Sequence, residues 1–123
     1  MLNQTIFVGR LVANPSLQET ETGRNMLNIT IAVPRSYKNE EGVYLSDFID
    51  CTLWNENAKN TAEYCKKGDI IGIKGRVQTN LIEKDGEKKK YMNIIAEKVT
   101  FLASKERNYE QEHEDFEPEM DME

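Results

Sequence analysis

Apolar residues that recur at every second position restrict this chain more than any other feature. Leu27, Ile29, Ile31 and Val33 alternate with Asn28, Thr30 and Ala32. A period of two places the first set on one face of an extended strand and the second set on the other, which predicts a half-buried β-strand. Ahead of it, Ile6 to Val12 is a second apolar run rich in β-branched residues, ended by Asn14-Pro15. Gly9 stands inside that run, where a bulge or a close backbone approach is expected. Further on, Ile71, Ile73, Gly75 and Val77 open another strand, Glu83 to Lys90 reads as a charged hairpin around Asp85-Gly86, and Met92 to Leu102 completes the set.

After a polar loop around Asn39 to Gly42, the stretch from Phe48 to Trp54 is the most informative in the chain. Ile49, Cys51 and Leu53 share one parity and are core material, whereas Phe48, Asp50, Thr52 and Trp54 share the other. Two large aromatics thus sit on an otherwise polar strand face, about 20 Å apart at roughly 3.3 Å per residue. Asn55 is predicted to cap a short helix in which Ala58, Ala62 and Cys65 recur at i, i+4 and i+7. Lys66-Lys67-Gly68 would supply its cationic last turn and C′ glycine. Five strands with one short helix between the third and fourth is the order of the oligonucleotide-binding (OB) fold, an all-β five-stranded barrel.

Charge divides the 123 residues in two. The chain carries a net charge of −6, which at first argues against nucleic acid, because neutralising phosphates supplies most non-specific affinity. Residues 105–123, however, hold two basic and nine acidic side chains, a net −7, so residues 1–104 hold 14 basic and 13 acidic groups, a net +1. The expected organisation is a near-neutral domain over 1–104 and an acidic tail over 105–123. The tail has only Tyr109 and Phe116 as aromatics and almost no β-branched residue, so burial cannot offset its ordering entropy and it is expected to be disordered. No apolar run reaches transmembrane length and no signal-peptide pattern opens the chain, so a cytoplasmic protein is expected.

Catalytic chemistry finds no constellation. His113, the single histidine, lies in the acidic tail, and Asp47 and Asp50 face opposite sides of one strand. No phosphate-cradling glycine motif is present. Cys51 and Cys65 lack the spacing of a zinc site or a disulfide framework and read as reduced core thiols, so neither metal nor cofactor is expected. Binding has more to build on. The face that displays Phe48 and Trp54 either packs beneath another element or offers platforms on which bases stack. Tyr37, between Arg35 and Lys38, is an aromatic flanked by cations, and reads equally as a strand-end tyrosine beside a loop. Lys88-Lys89-Lys90 can meet phosphates or be a solvated hairpin balanced by Glu83, Asp85 and Glu87. Lys74 and Arg76, on the outer parity of their strand, face DNA or a partner subunit. Two rival uses of such a barrel are a protein-interaction or replication-accessory module and an oligosaccharide-binding domain.

Several fragments, in order and at matching spacing over residues 1 to 103, resemble the bacterial and phage single-stranded DNA-binding proteins, the SSB family. They are Met1-Leu2-Asn3, Val8-Gly9-Arg10-Leu11, Asn14-Pro15, Leu27 to Val33, Asp47 to Trp54, Lys66-Lys67-Gly68-Asp69 and Gly75-Arg76-Val77-Gln78-Thr79. The resemblance implies an OB-fold homotetramer. Such a protein wraps single-stranded DNA without strong sequence preference and shields it in replication, recombination and repair. It implies that Tyr37, Phe48 and Trp54 stand where the family carries its base-stacking aromatics. The chain also departs from the family. Ile82 occupies the place of a further stacking aromatic, and Gln78 and Asn80 stand where basic residues are usual. The strand of Lys74 and Arg76 resembles one through which family dimers pack. The family's acidic tip ends in Ile-Pro-Phe, which recruits replication and repair proteins, whereas this chain ends Phe116-Glu117-Pro118-Glu119-Met120-Asp121-Met122-Glu123. The charge is kept and the terminal hydrophobic hook is not, a combination that suits a phage or mobile-element protein.

Overall fold

A computed structural model describes residues 1–104; the expected acidic tail, with His113, lies outside the described residues. The elements in chain order are β1 (Thr5–Leu11), the two-residue β2 (Gln18–Glu19), β3 (Asn25–Lys38), β4 (Tyr44–Trp54), α1 (Asn55–Tyr64), β5 (Ile70–Lys84) and β6 (Glu87–Ala103). Setting β2 aside, these are the five strands expected, with the helix between the third and the fourth. They follow the order β1-β5-β6-β4-β3, and an additional β1–β3 pairing through Arg10–Ala32 and Leu11–Ile31 closes the sheet into the OB barrel.

The period-two residues meet inside. Leu27, Ile29 and Ile31 of β3, Cys51 and Leu53 of β4, Ile71 and Ile73 of β5 and Leu11 of β1 form one buried cluster, with Ala58 of the helix packed into it. Burial pushes the Cys51 thiol up to about 12, with the nearby Asp50 charge adding to the effect, and raises that of Cys65 as well, so both remain protonated thiols at neutral pH. Gly9 lies where β1 crosses β3: a Cβ there would run into the Ala32 carbonyl oxygen and stand 2.6 Å from Ile31 Cγ2, so closure of the barrel requires glycine.

Both helix ends differ from the expectation. Trp54, not Asn55, is the capping residue, and no side chain caps the first turn; Asn55 instead takes a left-handed conformation (φ 58°) that turns the chain sharply out of β4. At the far end the helix stops at Tyr64, and Cys65 is extended. Lys66 to Asp69 form a separate turn, closed by Asp69 N–H to the Lys66 carbonyl (3.0 Å) and Lys66 N–H to Asp69 Oδ2 (2.8 Å). The end of β1 then claims that turn, with Leu11 N–H donating to the Asp69 carbonyl at 2.9 Å and Gly68 N–H to the Leu11 carbonyl at 2.8 Å. Those tertiary bonds replace the helical ones that a cationic last turn would have continued.

Beyond Val77 and Ile94 the β5–β6 ladder leaves the barrel as an arm. It is paired without interruption to Lys84–Glu87 and closed by Asp85 and Gly86, both at positive φ (55° and 78°), the two-residue turn that suits a twisted hairpin. No helix among the described residues is long and apolar enough to cross a membrane.

Candidate nucleic-acid interface

The outward parity of β3 and β4 forms a register of facing pairs: Met26 with Trp54, Asn28 with Thr52, Thr30 with Asp50, and Ala32 with Phe48. Phe48 is 68% exposed, while Trp54 is half-buried. Between the two aromatics the surface is polar and internally bonded. Thr30 Oγ1 donates to Asp50 Oδ1 at 2.7 Å, Thr52 Oγ1 donates to Asn28 Oδ1 at 2.8 Å, and Asn93 of β6 donates through Nδ2 to Thr52 Oγ1 at 2.6 Å. These cross-strand bonds tie the strands together under the aromatics, and no buried side-chain donor or acceptor is left unsatisfied among the described residues. A groove of about 390 Å³ opens past Ala32, lined also by Val8, Arg10, Pro34 and Ser46.

The expected cations are distributed unevenly. Tyr37 is 64% exposed near the end of β3. Of its neighbours, Arg35 grips Asp47 across the strand pair, from Nε to both carboxylate oxygens (3.2 Å each) and from a terminal nitrogen at 2.8 Å. That pair holds the Asp47 carboxyl below its ordinary value of 3.8 and raises the Arg35 guanidinium, chiefly through the hydrogen bond. Lys38 places its ammonium 5.5 Å from the centre of the Tyr44 ring, an exposed aromatic that sequence reasoning missed.

On the arm, register divides the lysine triplet. Lys89 faces Ile82 on the side that continues the outer surface through Asn80, Tyr91 and Asn93; Lys88 and Lys90 face Glu83 and Leu81 on the other side. That second side continues the barrel interior beyond the core, and it leaves Leu81 (71%) and Met92 (73%) uncovered. Lys74 stands opposite Ile6 and Lys98, beside exposed Val8 and Leu102. Arg76 reaches Glu97 (3.5 Å) and Gln78 (3.2 Å), and its register partner Ile95 pairs in turn with Thr52 of the outer face.

Two further asparagines and an arginine act on the backbone. Asn3 pairs its side-chain amide reciprocally with Val77, donating to the carbonyl at 2.8 Å and accepting from the N–H at 2.9 Å, and so extends the β1–β5 ladder by one rung. Asn14 Oδ1 accepts from Lys67 N–H, and Arg10 donates to the Gly68 carbonyl, both at 2.8 Å. Their sequence signal is the set of fragments Met1-Leu2-Asn3, Val8-Gly9-Arg10-Leu11 and Asn14-Pro15, whose partners lie far along the chain.

Comparison with known proteins agrees with this geometry. The model of the single-strand binding protein family matches residues 2–102. The single-stranded DNA-binding protein B of Bacillus subtilis is 41% identical over 108 residues, covering 87% of this chain and 96% of the relative. The single-stranded DNA-binding protein 1 of Clostridium acetobutylicum is 40% identical over 106 residues, covering 85% and 96%. Among solved structures, the wild-type single-stranded DNA binding protein from Thermus aquaticus superposes with a TM-score of 0.73 at 28% identity. That match takes in 85% of this chain, which spans about half (52%) of the Thermus chain.

Proposed function

Because the chain belongs to the single-strand binding protein family, whose members bind DNA without catalysing a reaction, we propose that it holds single-stranded DNA by stacking bases on Phe48 and Trp54 and shields the strand in replication, recombination and repair. The observation that carries the stacking reading is Phe48: a phenyl ring 68% exposed in the middle of a paired, hydrogen-bonded strand, where none of the described residues covers it. A base supplies the missing cover and reads no sequence in doing so, since every base has a π-face. Tyr37 extends the platform, and Lys38 and Lys89 supply phosphate contacts. Arg35 joins them when it releases Asp47, and Lys88 and Lys90 lie on the far side of the arm, where a wrapped strand would pass. Residues 1–104 serve as the DNA-binding domain and 105–123 as an anionic appendage that offers a surface to replication and repair proteins.

Assembly into a homotetramer fits the same reading. Thr5 to Gly9 of β1 pair with β5 along one edge and have no strand partner along the other among the described residues. An open edge flanked by exposed Ile6 and Val8 is a surface that a second copy covers. Lys74, beside Ile6, belongs to that surface in this reading.

Trp54 is the only tryptophan, which makes the test direct. Titration with an oligothymidine is expected to quench its emission, because a stacked base lies in van der Waals contact with the indole. Unchanged emission at saturation, with binding confirmed by mobility shift, removes Trp54 from the platform.

A further inference from the structure

Trp54 has a partner that its own strand does not supply: the guanidinium carbon of Arg24 lies 4.3 Å from the centre of its ring. Arg24 sits at the turn between β2 and β3, where Thr20 anchors its backbone at both polar atoms. Thr20 N–H donates to the Arg24 carbonyl at 2.9 Å, and Arg24 N–H donates to Thr20 Oγ1 at 3.1 Å. The residue is exposed, and its company differs from that of the other described arginines. Arg10 donates to the Gly68 carbonyl, Arg35 holds Asp47, and Arg76 reaches Gln78 and Glu97. Among the described residues, Arg24 alone gives its guanidinium no oxygen acceptor. Over an aromatic ring a guanidinium uses its face, so its fork of N–H donors remains in water and available.

Resting on the stacking reading of Trp54, we propose that Arg24 is a DNA-contact residue: it covers the indole in the free protein and moves to the phosphate of the nucleotide whose base takes its place on the ring. A base and a guanidinium need the same space above one ring face, so stacking there displaces the arginine. The incoming nucleotide carries its own acceptor for the displaced group, a phosphate whose oxygens match the guanidinium fork. The Thr20 anchor keeps the Arg24 backbone at the edge of the platform while the long side chain swings. The exchange therefore trades a cation–π contact for a charge-assisted one and releases a counterion from the DNA.

The test compares the full-length protein with Arg24→Ala and Arg24→Lys in oligothymidine titrations over a salt series. Arg24→Ala is expected to bind severalfold more weakly at low salt, with a log–log salt slope shallower by about 0.7, the value of one phosphate contact on a single strand. Arg24→Lys keeps the charge and is expected to keep the slope. The emission of free Arg24→Ala is expected to differ from that of the parent, because the indole has lost its cationic cover. An unchanged slope in Arg24→Ala, tighter binding, or free emission identical to the parent's overturns the proposal. Failure of the stacking reading looks different: the parent itself binds without any change in Trp54 emission, while the slope comparison is still read from mobility shifts.

Discussion

The outer face of β3 and β4 and the β5–β6 arm continue one curved surface, yet they are built on opposite terms. On the barrel face, Phe48 and Trp54 stand on β4, whose reverse side is buried at Cys51 and Leu53 and half-buried at Ile49, and the polar residues between them, from Asn28 through Thr52 to Asn93, are tied to one another. On the arm, residues 80 to 92 are exposed throughout and have only each other's backbone for support. A ring fixed by a core keeps its stacking geometry before DNA arrives, whereas a side chain on a two-stranded ribbon must be ordered at the moment of binding. The barrel face should therefore supply stacking energy, and the arm chiefly charge.

The sharpest break of that contrast is aromatic deletion on one side and apolar deletion on the other. Phe48→Ala and Trp54→Ala are each expected to weaken oligothymidine binding by about 1–3 kcal/mol with the fold intact, while Ile82→Ala costs less than either, because an aliphatic side chain offers no π-face. Circular dichroism and equilibrium titration read the two quantities separately. Loss of folding in either aromatic variant would assign that ring to the core, and an Ile82→Ala loss as large as theirs would erase the distinction between face and arm.

Much of this division was legible beforehand, for a physical reason. Period-two alternation depends only on the residue and its two neighbours, so the core parity of Leu27 to Val33 and of Ile49, Cys51 and Leu53 could be read without any partner. Whether Phe48 was covered could not, since coverage depends on what crosses above it. The helix ends failed for the same cause. Lys66 to Asp69 leave the helix to bond with Leu11, which lies more than fifty residues earlier. Asn3 finds Val77 across 74 residues, and Arg24 finds Trp54 through a turn whose two-residue strand carries no pattern. Charge counting has the opposite weakness: it cannot tell that Arg35 is held by Asp47, or that Lys88, Lys89 and Lys90 are divided between two sides of a ribbon.

That division within the triplet gives a smaller effect that still discriminates. Lys89→Ala is expected to make the log–log salt slope of single-stranded DNA binding shallower by about 0.7, because Lys89 shares the outer side with Tyr91 and Asn93. Lys88→Ala and Lys90→Ala should each change it less, since their side chains leave from the opposite side of the ribbon. Equal slopes for the three variants would mean that DNA wraps the arm instead of following one surface.

The smallest expected effect concerns a cation already occupied. Arg35 spends its guanidinium on Asp47, so a phosphate must compete with a carboxylate for the same donors. Asp47→Asn removes the competing charge, and single-stranded DNA is expected to bind modestly more tightly, with a slightly steeper salt slope as Arg35 becomes free to neutralise a phosphate. The pH dependence has a definite sign. The folded-state pKa of Asp47 is depressed below 3.8, so its pairing with Arg35 is complete above the ordinary carboxylate value and fails only as pH falls through the lowered one. Whatever small stability the pair contributes follows the same course: it is present above the unfolded value and lost in acid, and the exposure of both groups keeps it minor. Between pH 5 and pH 8 the affinity ratio of Asp47→Asn to the parent should consequently stay constant, because Asp47 remains ionised throughout that range. Fluorescence titrations at several pH values and at low salt measure it. A ratio of one at every pH would show that Arg35 lies off the path of the strand, and would leave the charge of this interface to Arg24, Lys38 and the arm.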